Sequence, residues 1–434
     1  MSVLSELNVF WDLDLVGTLT KVDDGSWVQF TYSKEWLEGP AFPISVSLPC
    51  QEETFSIQKS INFFGNFLPE GKVKEELCRF GRISASDNFR FLEVFGRDMA
   101  GALSIQSDKV HVFLPDIEDI TDQLEQILYN RKEHEPLNLF LMLKARLSLA
   151  GAQDKLPVIY QDGHFFLARG NAPSSHIIKP ASAVFEDLPF NEHFCMSLAK
   201  NVGLNVQDTN VVFLADVPIY MIKRYDRMEK NGQLFRLHQE DFCQALSIPA
   251  GRKYQDEGGP GWSDLCRIIT EYKFYNSRDD RDALSNVALF NFIIGNLDAH
   301  GKNYSIFHHR VDSRESYLSL TPLYDLCSLY PYPFHYNKCN MSMSIGEKFR
   351  PDKVRENNWR DFAKVFGLSD EELSNKMKTM AEAVEEQIPL VLDANKELYS
   401  KTKIPNIIAE NAFQGITVIK FMADRLQASD PHRM

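Results

Sequence analysis

The order of two hydrophobic periodicities constrains this chain most. Short, turn-bounded apolar runs of strand type dominate its first half, and helix-period runs dominate its end. Val9-Phe10-Trp11, Val16 to Leu19 and Trp27 to Tyr32 are strand-like and broken by Asp23-Asp24-Gly25, a turn signal. Leu156 to Tyr160 and Phe165 to Leu167 flank Asp162-Gly163, which reads as a hairpin. Val211 to Leu214 and Pro218 to Lys223 make a second hairpin, and Val110 to Leu114 reads as a further strand. Phe63 to Gly81 and Asn88 to Phe95 carry helical patterns between the strands. Near the end, Trp359 to Phe366 precedes Ser369-Asp-Glu-Glu372, a capping box that opens a helix to about Gln387. Ala412 to Gln427 is helical again. Sheets first and helices last predict an α+β protein with a strand-rich N-terminal lobe and an all-helical C-terminal lobe. The expected divisions are 1–105 for a β-rich N-terminal module, 106–240 for the rest of the first lobe, and 241–434 for the helical lobe.

Charge and cysteine content narrow the function classes. A formal net charge of −13 excludes nucleic-acid binding by bulk electrostatics, since phosphate-backbone affinity comes from Lys and Arg. Seven scattered cysteines without a C-x-x-C pair argue for reduced thiols, and against a disulfide framework or a zinc site. The N-terminus lacks a signal-peptide pattern, and no apolar run approaches the ~20 residues of a membrane span, so a soluble, cytoplasmic protein is expected.

The chemistry concentrates in Asp298-Ala-His-Gly-Lys-Asn303, a polar loop between the apolar helical run Leu284 to Ile294 and the strand-like Tyr304 to Phe307. Phosphoryl transfer needs a carboxylate to accept a hydroxyl proton, oxygen ligands for Mg²⁺, cations on the phosphates and a backbone cradle. Protein kinases hold their base Asp and their Mg²⁺-binding Asn at this D-x-x-x-x-N spacing. A single such match is weak, but further parts follow kinase order. Ser148-Leu-Ala-Gly-Ala-Gln-Asp-Lys155 is a small-residue loop suited to phosphates, or an ordinary entry into a hairpin. Lys179 ends a β-branched strand, as a phosphate-holding lysine does, and Glu192 on the following helix is its candidate partner. Leu237 to Phe242 is placed where a hinge would meet adenine. Tyr254 to Gly261 reads only as a Gly/Pro-rich turn. Asp325, after the strand-like Tyr317 to Leu320, is either a second Mg²⁺ ligand or a turn aspartate. His300 would orient Asp298 or anchor the loop, and Lys302 would neutralise charge on the transferred group. His308, His309 and His335 do not form a metal set and read as surface or structural residues.

The set resembles one known family. Ser148 to Lys155, His176-Ile-Ile-Lys179-Pro180, Lys223-Arg-Tyr-Asp-Arg227, Gln239-Glu-Asp-Phe-Cys-Gln244, Gly258-Gly-Pro-Gly261, Asp298 to Asn303 and Leu323-Tyr-Asp325 are similar to the motifs of HipA-type serine/threonine kinase toxins. Phe63 to Glu70 fits that family's N-terminal region, so the resemblance runs nearly the full length. It implies a protein-kinase-like fold and an ATP- and Mg²⁺-dependent kinase with Asp298 as base and Asn303 and Asp325 on the metal. Ala150, Gly151, Ala152, Gln153, Asp154, Lys155 and Lys179 would hold phosphates, the backbone of Glu240, Asp241 and Phe242 would take adenine, and His300 and Tyr324 would complete the nucleotide contacts. Ser148 matches an autophosphorylated serine that silences the enzyme, and a phosphate there would repel those of ATP. The implied partners are a helix-turn-helix antitoxin of HipB type, operator DNA reached through it, and a protein substrate, expected to be glutamyl-tRNA synthetase. Asp154 and Ala299 stand where relatives carry Glu and Gly, both mild exchanges. Two other readings compete: a kinase fold that acts only as corepressor, and a kinase of a small molecule or lipid head group.

Overall fold

The computed structural model describes residues 5–22, 27–107, 116–130, 155–169, 172–181, 185–311, 315–336 and 339–428. The chain folds into two compact units, each assembled from several separate stretches of sequence.

The first unit takes Met1–Ala183, Val212–Gly251 and Ser305–Thr321. Its N-terminal part is an antiparallel sheet of β1 (Glu6–Trp11), β2 (Asp14–Val22), β3 (Trp27–Tyr32) and β4 (Leu103–Gln106), ordered β3-β2-β1-β4. Alternation buries Leu7, Val9, Val16, Val28 and Phe30 on one face. Gly17 is obligatory there, because a Cβ would sit 2.2 Å from the Thr31 carbonyl. Helices Ile57–Phe64 and Asn88–Phe95, capped by Ser56 and Asp87, lay Phe63, Phe64, Phe91 and Phe95 into the core.

A second sheet comprises β5 (Asp116–Asp119), β6 (Leu156–Gln161), β7 (His164–Arg169), β8 (His176–Pro180), β9 (Thr209–Leu214) and β10 (Val217–Lys223), ordered β5-β7-β6-β8-β10-β9. Both expected hairpins form. Asp162 and Gly163 take positive φ of 51° and 84°, and Ala215 and Asp216 take 48° and 62°. The two sheets share one core, in which Leu7, Phe30 and Phe64 belong to the same buried cluster as Leu156, Val158, Ile178 and Ile219. Burying each such side chain contributes roughly 1.5–3 kcal/mol.

Beyond a short hairpin, β11 (Arg227–Lys230) and β12 (Gln233–Arg236), comes β13 (Gln239–Asp241). It is an edge strand beside β14 (Ser305–Arg310) and β15 (Ser316–Leu320), ordered β13-β14-β15. The strand-like runs expected near 304–307 and 317–320 are therefore strands, and the chain returns to the first unit to place them. Asp98, Arg224, Asp226 and Arg227 form a buried ion network on this unit. Arg227 reaches Asp98 at 2.7 Å and Arg224 reaches Asp226 at 2.7 Å.

The second unit, Val184–Val211, Arg252–Tyr304 and Pro322–Met434, is helical. Its long elements are Leu188–Asn201, Trp262–Glu271, Ser277–Ile294, Glu356–Phe366, Asp370–Ala394 and Ile404–Ala428. The capping box at Ser369 and Glu372 is present in both directions. Its helix runs past Gln387 to Ala394, through Pro389, because Ile388 and Val391 stay buried against neighbours. Gly415 lets Ile404–Ala428 cross Ser277–Ile294 closely, since a Cβ would meet the Ile293 carbonyl at 2.5 Å. No helix among the described residues is long and apolar enough to cross a membrane.

Candidate active site

Helix Ser277–Ile294 delivers the Asp298–Asn303 loop. Gly295 ends it in the left-handed conformation (φ 68°), where only glycine avoids a Cβ cost. Asn296 and Asn291 then brace the turn: Asn296 Nδ2 donates to Asn291 Oδ1 (3.0 Å), and Asn291 Nδ2 donates to the buried Tyr304 hydroxyl (2.9 Å). Burial raises the Tyr304 pKa well above its usual range, so the phenol stays neutral.

The loop is wound around one atom, the Asp298 carbonyl oxygen. It accepts the His300 N–H (2.9 Å) and Asn303 Nδ2 (3.0 Å), using both lone pairs. A carbonyl only accepts, so the Asn303 amide must turn its nitrogen inward. The nitrogen side of that amide therefore faces the Asp298 carbonyl. Asp298 itself is solvent-exposed, with Oδ1 receiving the Tyr254 hydroxyl at 3.0 Å. The Tyr254 ring meets His300 edge-on, with centroids 5.4 Å apart, and His300 is 7% exposed. Lys302 is equally buried, and its carbonyl accepts the Tyr324 hydroxyl at 2.8 Å. Tyr324 thus ties the loop to the segment that carries Asp325.

Asp325 sits at φ +55°, a conformation uncommon for non-glycine residues that costs about 1 kcal/mol or more. Its neighbours hold it there. The Leu323 N–H donates to Asn205 O (2.7 Å), and buried Asn191 clamps Ser328 by giving Nδ2 to its carbonyl and taking its N–H, both at 2.8 Å. Asp325 shares this left-handed backbone with the hairpin aspartates Asp162 and Asp216.

In the first unit, Lys179 is 4% exposed on β8, with Nζ 5.4 Å from the Tyr220 ring centroid. On β13 the Glu240 carboxylate is already engaged by Ser45, by the Val46 N–H (2.8 Å) and by His308 Nε2 (2.8 Å). Asp241 caps the helix Phe242–Ala245 through a capping box with Gln244. Any contact of this stretch with a nucleobase is thus left to its backbone groups.

The family model for the HipA-like C-terminal domain matches residues 147–388, and that for the HipA N-terminal domain matches 7–106. The chain belongs to the HipA family. Y4mE of Sinorhizobium fredii, a kinase by provisional name, is 33% identical and the match covers 93% of this chain and 96% of that protein. The serine/threonine-protein kinase toxin HipA of Shewanella oneidensis is 29% identical, with 83% of each chain covered. The solved complex of Shewanella oneidensis MR-1 HipA with HipB and operator DNA contains a chain of the same fold, with TM-score 0.83, 24% identity, and 98% of this chain and 100% of that one covered. Family membership makes this chain an enzyme of the protein-serine/threonine kinase class.

Of the residues singled out from the sequence, the HipA fold gathers Asp298, His300, Lys302, Asn303, Tyr324 and Asp325 into the second unit. Lys155, Lys179, Glu240, Asp241 and Phe242 belong to the first, and Glu192 is buried in the second unit's helix Leu188–Asn201. Ser148, Ala150, Gly151, Ala152, Gln153 and Asp154 lie outside the described residues, as does the strand expected at Val110 to Leu114. Two residues at the site give no signal in the sequence. Tyr254 stands in a stretch legible only as a turn, and Asn191 is one polar residue among many on a helix.

Proposed function

We propose that this chain uses Mg-ATP to phosphorylate a serine of a protein substrate, and that it is the toxin of a toxin–antitoxin pair. The observation that carries the reading is the bond from Asn303 Nδ2 to the Asp298 carbonyl, which joins an amide and an exposed carboxylate in one loop. In this mechanism Asp298 accepts the proton of the substrate hydroxyl as its oxygen bonds to the γ-phosphorus and the bond to the β-phosphate oxygen breaks. Asn303 Oδ1 and the Asp325 carboxylate would hold the Mg²⁺. Mg²⁺, when bound, neutralises charge on the phosphate oxygens. Lys179 and the loop Ala150 to Lys155 hold phosphates, Lys302 faces the transferred group, and the backbone of Glu240 to Phe242 reads adenine. His300, buried against Tyr254, steadies the base.

We further propose Ser148 as the autophosphorylated, silencing serine, and a HipB-type helix-turn-helix partner through which this acidic chain reaches operator DNA. Glutamyl-tRNA synthetase is the first substrate to test, with growth arrest and persistence as the outcome. Labelled ATP, Mg²⁺ and a cell lysate are incubated with the wild-type chain and with Asp298→Gln. The expected result is one labelled lysate protein with the wild type, and none with the variant although it still binds ATP. Labelling that survives in Asp298→Gln would remove Asp298 from its role.

A further inference from the structure

The stretch His238–Ile248, which contains β13 and the helix after it, is fastened to the N-terminal domain at nearly every turn. His238 Nε2 lies 2.7 Å from the Ile44 carbonyl. The Ser45 hydroxyl and the Val46 N–H both donate to the Glu240 carboxylate. The Ser47 hydroxyl donates to the Gln244 carbonyl (2.8 Å), and Gln244 Nε2 returns a bond to the Phe63 carbonyl (3.2 Å). Asn62 and Asn66 give their amides to the carbonyls of Ser247 and Ile248. Gly101 packs so tightly on Gln239 that a Cβ would lie 3.0 Å from its backbone N and O. Every partner named belongs to residues 44–101, within the domain that the N-terminal family model covers.

Glu240 is the centre of this contact. It is 1% exposed, and its carboxylate takes bonds from Ser45, Val46 and, on β14, His308. A buried carboxylate is tolerated only with donors of this kind, so residues 45–46 are obligatory to the strand that carries it. We propose that the N-terminal domain is the mount of the adenine-reading strand, with Ser45, Val46 and Asn62 as positioning residues that set affinity for the nucleobase. This rests on the reading of β13 as the strand that meets adenine.

The test uses full-length Ser45→Ala, Asn62→Ala and Ser45→Thr. Calorimetry measures the Kd of Mg-ATP and of magnesium tripolyphosphate, which has no base, at a temperature where each variant is folded by circular dichroism. Ser45→Ala and Asn62→Ala should raise the Kd of Mg-ATP about tenfold, the factor one lost charge-assisted or buried hydrogen bond supports, and leave tripolyphosphate unchanged. Ser45→Thr, which keeps the hydroxyl, should restore wild-type affinity. Unchanged ATP affinity in the folded alanine variants, or equal weakening of both ligands, would overturn the inference. A wild type that binds ATP no better than tripolyphosphate would instead refute the reading of β13 on which it rests.

Discussion

Tyr254→Phe tests the loop with the smallest available change. It removes one oxygen, the donor 3.0 Å from Asp298 Oδ1, and keeps the ring that meets His300 edge-on. A buried hydrogen bond to a charged group contributes about 1.5–3 kcal/mol. Asp298 is exposed, so water replaces part of what is lost, and about 1 kcal/mol remains as orientation of the carboxylate. In kcat that is roughly a fivefold loss. The bond seen for the Tyr254 hydroxyl goes to the proposed base, so KM for ATP should hold. The assay is steady-state phosphorylation of the labelled protein substrate, with ATP and substrate varied separately. Two results would refute the argument. An ATP KM that rises while kcat holds would move Tyr254 to nucleotide binding. A kcat that increases would show the phenol occupying the place of the substrate hydroxyl.

Other expected outcomes follow from the same geometry. Asn303→Ala should raise the Mg²⁺ concentration for half-maximal activity about tenfold or more, read from a magnesium titration at saturating ATP. Asn191→Ala releases the Ser328 segment next to Asp325, and should shift the Mg²⁺ requirement in the same direction but by less, because it acts through the backbone. Burial pushes the Asp98 carboxyl up, but the charges of Arg227, Arg224 and Arg236 and the Ser174 hydroxyl more than reverse it and hold it well below the usual carboxylate range. Its stabilisation is present above the unfolded value near 4 and lost as pH falls below it, and Asp98→Ala should destabilise by about 3–5 kcal/mol in denaturant melts. Burial keeps His193 and His238 neutral, pushed down to about 4 and about 3. The unfolded chain protonates near 6.5, so Tm should decline as pH falls from about 6.5, and a flat Tm down to pH 5 would contradict their burial.

Residue order alone reveals many of the local elements and suggests the chemistry proposed for the loop. Hairpin turns at Asp162-Gly163 and Ala215-Asp216 are legible because a two-residue turn depends on few neighbours, and the Ser369 capping box because its bonds close within one helical turn. Asp298 and Asn303 stand out because the proposed proton and cation chemistry restricts residue type at a D-x-x-x-x-N spacing, and Asp325 because it follows them in kinase order. Which atoms face which is settled only when the helices pack. That the Asn303 nitrogen must turn toward Asp298, that Tyr254 comes from 44 residues upstream to bond the same aspartate, and that Asn191 clamps Ser328 across 137 residues are outcomes of that packing. The same holds for the side chain of Glu240, a residue expected from the sequence to act only through its backbone. Its side chain is consumed by Ser45 and Val46, nearly two hundred residues earlier. Hydrogen bonds between distant segments leave no periodicity in a single chain, because the register that joins them is set by the shared core and not by local propensity.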